Sequence, residues 1–151
     1  IYLSSAYFLP DDIAVAELLK ARQRGVEIKI IVPGIHGDSH AVKSASRSIW
    51  GKLIEAGIQI YEYQPAMFHC KVLIIDNYFV SVGSTNFDDR SFRLNDEANL
   101  NIYDTDFATF EYKTFEKDLL KSKLVTLEEW KKRPLTERVS EFFALFIRSQ
   151  L

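Results

Sequence analysis

The chain carries, from Phe68 to Asn101, the segment FHCKVLIIDNYFVSVGSTNFDDRSFRLNDEANLN. Two runs rich in β-branched and aromatic residues, 68–75 and 78–82, are joined by Asp76-Asn77, a pair that is typical of tight turns. A third run of this kind, residues 97–103, follows a polar loop. The segment therefore predicts three strands, with a tight turn between the first two.

The same segment contains a motif of six residues at fixed offsets. It reads His-x-Lys, then four residues, Asp, then six residues, and Gly-Ser-x-Asn, and its members are His69, Lys71, Asp76, Gly83, Ser84 and Asn86. Chance rarely places six chosen residue types at fixed positions over so short a stretch. We interpret the motif as half of a phosphoryl-transfer active site.

Strand alternation divides the motif between two faces. Side chains alternate along a strand, so His69 and Lys71 share one face, about 7 Å apart along the strand, and Asp76 points to the other face. An imidazole can attack phosphorus, and an ammonium group can stabilise the charge on the phosphoryl oxygens. This pattern predicts a catalytic pair of His69 and Lys71, with Asp76 bracing the turn.

The residues after the second strand supply neutral groups. Gly83 permits a close approach of backbone, and Ser84 and Asn86 are expected to bind substrate oxygens without adding charge. An attacking imidazole needs an acceptor on its other nitrogen, and Glu97 at the start of the third run is the best candidate in the sequence. An ordinary strand-edge carboxylate is the alternative interpretation of Glu97.

Upstream of this segment, one architectural unit occurs twice. A helix, a glycine, an alternating strand and a proline follow one another in residues 11–33 and again in residues 45–65, where the strands read GVEIKIIVP and GIQIYEYQP. A buried strand is predicted over residues 1–9, before the first helix, which should run from Asp11 to about Arg24 and end at Gly25. Such repeats indicate βαβ crossovers.

The segment after residue 104 has helical character. Helices are predicted over residues 106–122, 127–132 and from Pro134 to the end of the chain. The expected fold is α/β, a mixed and largely parallel sheet with helices on both faces. The domain prediction is a single unit of residues 1–151 with a helical tail from about residue 105.

Composition excludes several classes of protein. The 151 residues are 47% hydrophobic and carry a net charge of −2, which argues against disorder and against gripping a nucleic-acid backbone. No apolar run reaches the roughly 18–20 residues needed to span a bilayer. We find no convincing cluster of metal ligands and expect no cofactor. Because the first residue is Ile1 and the chain begins in an apolar run, we expect a piece of a longer protein.

These residues resemble the phospholipase D superfamily, whose signature is this His-Lys-Asp motif followed by Gly-Ser-x-Asn. The match is complete at all six positions. The segments YFLPDD, RGVEIKIIVP, ASRSIWGKLIEAGIQIYEY, FHCK and STNFDDRSFRLNDEANLNIYD further resemble the C-terminal half of bacterial cardiolipin synthases, up to about Asp104. The tail resembles these proteins more loosely.

The resemblance implies a phosphatidyltransferase that acts on phosphatidylglycerol through a phosphohistidine, with Glu97 steadying the histidine. Such synthases carry two motifs whose histidines meet in one site, as nucleophile and general acid, whereas this chain has one. His36 and His40 lack a lysine at the required offset and so do not form a second copy. We therefore expect a missing N-terminal half, or a second identical chain, to complete the site.

Three alternatives stay open at this point. They are a phospholipase D that hydrolyses phospholipid with water, a homodimeric single-motif nuclease, and an inactive half-site in the isolated fragment. For the whole protein, the resemblance implies the bacterial inner membrane, with peripheral binding or an anchor outside this chain. The fragment itself is expected to be soluble.

Overall fold

The computed structural model describes residues 1–37 and 40–139, except the side chains of residues 40 and 41. Its strands are β1 (Tyr2–Ser5), β2 (Phe8–Leu9), β3 (Lys29–Pro33), β4 (Gln59–Tyr63), β5 (Lys71–Ile75), β6 (Phe79–Gly83), β7 (Phe87–Asp88), β8 (Asn99–Tyr103) and β9 (Ser122–Leu124). Its helices are α1 (Asp12–Gln23), α2 (His40–Glu55), α3 (Asp89–Arg93), α4 (Thr105–Leu119) and α5 (Leu127–Lys131).

Local signals set the bounds of the first helix. The Asp11 side chain accepts a hydrogen bond of 2.7 Å from the Ala14 amide and so caps α1, and Gly25 follows the helix with φ of +91°. This confirms the predicted start and end. The second helix begins at His40, five residues before the predicted start, and Gly57 follows it with φ of +86°.

The main sheet of the described chain has seven strands in the order β8-β6-β5-β1-β3-β4-β9. Only β1–β3 and β3–β4 pair in parallel, so the prediction of a mixed sheet is confirmed and that of a largely parallel one is wrong. A parallel pair needs a crossover connection, and α1 and α2 provide one each. The tight turn after β5 instead returns the chain antiparallel, as do the connections to β8 and β9.

Helices cover both faces of the sheet, as predicted. On one face Ile30 and Ile60 pack in a cluster with residues of α1 and α2, including the buried Trp50. On the other face Ile31, Ile74 and Val80 pack against residues of α4. The alternation of Ile30 and Ile31 between the two clusters follows directly from strand geometry.

The first predicted strand is two strands in the structure. β1 pairs with β3 and β5, whereas β2 pairs with β7 in a separate two-stranded sheet. The chain changes partner at Ala6-Tyr7, where the Ser5 hydroxyl donates to the Tyr7 carbonyl at 2.7 Å and the Ala6 amide donates to the Cys70 carbonyl at 3.0 Å. This break places Tyr7 beside the motif.

The tail is not wholly helical, because residues 122–124 form an edge strand. Ser122, predicted as the end of a helix, begins β9, which pairs antiparallel with β4 and supplies hydrogen bonds to that edge. Helix α5 then packs on α2, where the Trp130 indole donates to the Arg47 carbonyl at 3.0 Å. Residues 135–139 are helical, and the rest of the helix predicted after Pro134 lies outside the described residues.

Candidate active site

His69 and Lys71 lie side by side at the start of β5. The strand begins at Lys71, so residues 68–70, which were predicted to belong to it, precede it. The Lys71 Nζ atom is 3.0 Å from His69 Nδ1 and 3.2 Å from Nε2. Phe68 is buried against Tyr63, with ring centroids 4.8 Å apart, and this anchor presents the next residue, His69, at the surface. The structure thus brings the predicted pair together.

Tyr7 is a neighbour of the pair that the sequence interpretation missed. Its ring meets the His69 ring edge-on, with centroids 6.3 Å apart, and its amide donates to Asn86 Oδ1 at 3.3 Å. The break between β1 and β2 creates this contact, and the sequence gives no sign of the break within its apolar run. Tyr7 therefore connects the two parts of the motif: its ring contacts His69, and its backbone amide holds the Asn86 side chain.

Gly83 ends β6 directly opposite Asn99 of β8. A Cβ atom at Gly83 would overlap the Ala98 carbonyl oxygen and the Asn99 Oδ1 atom, and it would come within 2.7 Å of the Asn99 Cα atom. The glycine is required here by close backbone approach, which is the reason that the sequence suggested.

The Ser84 hydroxyl forms a hydrogen bond within the protein. It accepts a hydrogen bond of 3.0 Å from the Ala98 amide, and the Ser84 amide donates to the Ala98 carbonyl, also at 3.0 Å. These bonds tie the end of β6 to the residues that precede β8. The substrate-binding role of Ser84 stays a prediction, and the structure gives the residue a bracing role next to Glu97.

Glu97 lies near the pair but outside the third strand, which begins at Asn99 and not at residue 97 as predicted. A hydrogen bond from Ser84, followed by one from Asn95, lowers the pKa of the Glu97 carboxyl group, and the charge of Lys71 acts in the same direction. Glu97 is therefore held as a carboxylate within electrostatic reach of the pair. Its role of orienting His69 stays a prediction.

Asp76 lies in the turn at the opposite end of β5. Asp76 and Asn77 have φ of +53° and +49°, and the Tyr78 amide donates to the Ile75 carbonyl at 3.1 Å, which is a tight hairpin turn. Five residues of extended chain separate Asp76 from Lys71 by roughly 17 Å. The structure does not bring Asp76 to His69 and Lys71, in keeping with the expected bracing role.

We expect Asp76→Ala to lower the free energy of unfolding by about 1 kcal/mol, because alanine is disfavoured in the left-handed region. Asp76→Asn is the matched control, since asparagine tolerates that conformation and is expected to cost less. Denaturant titration measures both effects, alongside activity per folded molecule. A loss of histidine-linked phosphate in the alanine variant at unchanged stability would show a direct chemical role instead.

The residues that follow Asn86 form a structural network. Asp88 caps α3 by accepting a hydrogen bond of 2.6 Å from the Ser91 amide, and Arg93 makes ion pairs with Asp11 at 2.8 Å and Asp89 at 2.6 Å. These bonds fasten α3 to the start of α1. Arg93 and Asp89 thus have a structural role in a salt-bridge network.

Stability is expected to respond to pH through Asp88, whose burial raises the pKa of its carboxyl group. The folded state then binds a proton more tightly than the unfolded state, whose aspartate pKa is about 3.9. The free energy of unfolding should therefore fall as pH rises from that value through the folded pKa. Asp88→Asn keeps the cap and should remove this fall, as measured by denaturation at several pH values.

The control for this comparison is Asp104→Asn. Asp104 caps α4 through a hydrogen bond of 2.7 Å from the Phe107 amide, and it is exposed. The Asp104→Asn substitution measures the effect of replacing a capping aspartate at the surface. Equal pH profiles for the Asp88→Asn variant and the unmodified protein would contradict the prediction.

Metal ligands do not gather near the pair in the described part of the chain, where no group of three histidine, cysteine or acidic residues is placed to hold an ion. His36 is exposed on the loop after β3, and the side chain of His40 lies outside the described residues. Cys70 lies next to the pair; the residue as a whole is exposed, but neighbouring groups partly shield its thiol from water and thereby raise the pKa of the thiol. The chemistry suggested by the geometry is that of imidazole, ammonium and amide groups.

Residues 1–119 match the family model of the cardiolipin synthase, phospholipase D-like domain. The chain is 42% identical over 147 residues to cardiolipin synthase 1 of Staphylococcus epidermidis, which covers 97% of this chain and 30% of that protein. The chain thus spans less than a third of the length of this relative.

Two solved structures share the fold. The phosphatidylserine synthase of Haemophilus influenzae superposes with a TM-score of 0.79 at 15% identity, over 99% of this chain and 41% of its own. Nuc of Salmonella typhimurium, a phospholipase D family member, superposes with a TM-score of 0.70 at 24% identity, over 82% of this chain and 80% of its own. At these identities the likeness concerns the fold alone.

Proposed function

Because the chain belongs to the cardiolipin synthase-type domains of the phospholipase D superfamily, we propose that it forms one catalytic half of a phosphatidyltransferase. The substrate is phosphatidylglycerol and the product is cardiolipin. The observation that carries the proposal is the contact of 3.0 Å between Lys71 Nζ and His69 Nδ1, in a chain 42% identical to a cardiolipin synthase. Phospholipase D-type hydrolysis would use the same residues and differs only in the acceptor.

The reaction proceeds in two transfers at phosphorus. A motif imidazole attacks the phosphodiester, the bond from phosphorus to the glycerol oxygen breaks, and the leaving alcohol takes a proton from a general acid. A hydroxyl of a second phosphatidylglycerol then attacks the phosphorus, the nitrogen–phosphorus bond to the histidine breaks, and the hydroxyl gives its proton to the same group. The Lys71 ammonium and the Asn86 amide stabilise the charge on the phosphoryl oxygens in both steps.

The mechanism needs a second histidine, so that one imidazole is the nucleophile and the other is the general acid. We propose that it comes from another half of the same protein or from a second copy of this chain. The relative from S. epidermidis is more than three times as long as the matched region, which leaves room for another half. The chain alone would then be an incomplete site.

A nuclease activity is less well supported. The net charge of −2 gives the chain no basic field for a nucleic-acid backbone. The likeness to Nuc rests on the fold.

The proposed place of action is the bacterial inner membrane. Within the described residues, no helix combines the length and the apolar character needed to cross a bilayer. We propose that any anchor of the whole protein lies in regions other than these residues. Peripheral contact with the lipid surface is the alternative for the same location.

The test is incubation of the protein at its full natural length with phosphatidylglycerol vesicles. We expect cardiolipin and glycerol in equal amounts. Phosphatidic acid without cardiolipin would favour hydrolysis instead. Light scattering on the 151-residue chain tests the half-site proposal, because a clean dimer with activity would require a site made by two identical chains.

A further inference from the structure

Three large apolar side chains project into solvent from the end of the sheet that carries His69 and Lys71. They belong to Ile35, Met67 and Leu120, which are 72%, 54% and 88% exposed, and we call them the apolar rim. They come from the loop after β3, the loop before β5 and the C-cap of α4. Exposed apolar side chains that gather at one place mark a surface that contacts a partner or a membrane, whereas scattered ones do not.

The end of β4 holds the three segments of the apolar rim together. The Gly34 amide donates to the carbonyl of Tyr63, the last residue of β4, at 3.0 Å. The Gln64 amide donates to the Lys121 carbonyl at 3.2 Å. The buried ring of Phe68 packs on the Tyr63 ring, with centroids 4.8 Å apart. Each contact involves the direct chain neighbour of one rim residue, so the three side chains project from one end of the domain.

The spacing between the apolar rim and His69 matches the depth of a lipid head group. Met67 precedes His69 by two residues, which span at most about 7 Å of chain. The apolar groups of a segment bound at a bilayer surface are buried roughly 5–10 Å into the boundary between head groups and acyl chains. With Met67 at that depth, His69 lies at the level of the lipid phosphates.

The charge of the rim segments suits an anionic surface. Residues 34–37, 65–68 and 119–121 contain one lysine and one histidine and no carboxylate. The lysine, Lys121, is exposed and directly follows Leu120. A lysine close to an anionic leaflet strengthens binding about fivefold, and phosphatidylglycerol is itself an anionic lipid. The apolar and the cationic parts of this surface therefore favour the same partner.

We propose that the apolar rim inserts into the surface of the anionic membrane that contains the lipid substrate. The proposal rests on the proposed function and adds the surface through which the domain meets its substrate. Insertion of Ile35, Met67 and Leu120 holds this end of the sheet against the lipid, so a phosphodiester reaches His69 without leaving the bilayer. Another half of the protein is the competing occupant of this surface, and it predicts different results with dissolved substrate.

The fluorescence of a Leu120→Trp variant of the full-length protein tests the insertion directly. In phosphatidylglycerol vesicles with brominated acyl chains, we expect this variant to lose more fluorescence than the unmodified protein, because bromine quenches an indole ring inside the bilayer. The matched control is Phe110→Trp. Phe110 is 63% exposed on α4, about 15 Å before Leu120 and towards the opposite end of the sheet, so we expect no additional quenching there.

Turnover on two physical forms of phosphatidylglycerol tests the purpose of the contact. Full burial of a leucine side chain is worth at least about tenfold in binding. We therefore expect Leu120→Gln to lower the ratio of turnover on vesicles to turnover on short-chain monomers by at least about tenfold. Phe110→Gln should leave this ratio unchanged. Lys121→Gln should weaken binding to anionic vesicles about fivefold and leave binding to phosphatidylcholine vesicles unchanged.

The outcomes separate the lipid contact from its competitor and from the proposed function. An equal ratio in Leu120→Gln, Phe110→Gln and the unmodified protein would overturn the lipid contact. Equal loss of turnover on both substrate forms in Leu120→Gln, without quenching in Leu120→Trp, would overturn it in favour of another protein half. Absence of turnover on either form by the unmodified protein would overturn the proposed function, and the quenching result would still decide the lipid contact.

Discussion

His69→Ala is expected to lower cardiolipin formation by at least about 10⁴-fold, which is the scale of loss when a nucleophile or its proton-transfer partner is removed. The side chain is exposed, so the free energy of unfolding should stay within about 0.5 kcal/mol of the unmodified value. A large loss of rate without loss of stability is the signature of a chemical role. Product formation from phosphatidylglycerol and denaturant titration measure the two quantities.

The matched control is His36→Ala. His36 is also an exposed histidine, and it follows β3 at the same end of the sheet at which β1 finishes opposite Lys71. It is not a member of the motif, so we expect turnover to be retained. Turnover retained by His69→Ala would contradict the proposed mechanism, and equal losses in both variants would show that the effect is not specific to the motif.

The proposed covalent intermediate distinguishes nucleophile from general acid as the role of His69. Phosphate label that is stable to base and labile to acid marks a phosphohistidine. If His69 is the nucleophile, His69→Ala abolishes the label. If the other histidine is the nucleophile, label still forms in the variant, although more slowly, and turnover is lost because the acceptor hydroxyl then lacks its general base.

Local chemistry made part of the fold predictable. The capping carboxylate of Asp11 and the glycine at position 25 defined α1, and Asp76-Asn77 defined the hairpin turn. Each of these features depends on neighbours within about four residues, so it can be inferred from the chain alone. The repeated unit of helix, glycine, alternating strand and proline likewise predicted the crossovers that α1 and α2 provide.

Features that depend on distant partners were not predictable. Residues 122–124 read SKL, which has no strong strand pattern, and they form a strand because the edge of β4 is available for pairing. The mostly antiparallel sheet likewise depends on which strand lies beside β1, and that is β5, about seventy residues away in the chain.

The candidate site likewise combines residues that are close in sequence, which could be predicted, with residues from distant segments, which could not. Spacing alone predicted that His69 and Lys71 lie together, since two positions separate them. The neighbours Tyr7 and Asn99 come from remote segments, and their contacts depend on the register of β1 and β8. The use of the Ser84 hydroxyl within the protein follows from that register as well, because Ala98 must lie opposite it.

Gly83→Ala is expected to lower the free energy of unfolding by about 3 kcal/mol, at the upper end of the cost of overpacking. The added Cβ would overlap the Ala98 carbonyl and the Asn99 side chain, and it would lie 2.7 Å from the Asn99 Cα atom. Backbone atoms cannot rotate away, so β6 and β8 must separate at this point. The bonds from Ser84 to Ala98 should then be lost as well, which adds to the cost.

The same displacement of the end of β6 should also lower catalytic activity. Ser84 and Asn86 directly follow Gly83, so a shift of the strand end moves both of them relative to Lys71. We expect activity per folded molecule to fall by about 100-fold, the loss that a displacement of about 1 Å can cause at a catalytic site. Turnover measured at a temperature where the variant is still folded separates this loss from the loss of stability.

Gly37→Ala provides the control for the change from glycine to alanine. A Cβ atom at Gly37 would meet the Pro33 side chain at 3.4 Å, an ordinary contact. Both substitutions restrict the unfolded chain to the same extent, so the difference between them isolates the overlap with β8. If Gly83→Ala were as stable and active as Gly37→Ala, β6 and β8 could not approach as closely as the structure shows, and the positions of Ser84 and Asn86 would have to be revised.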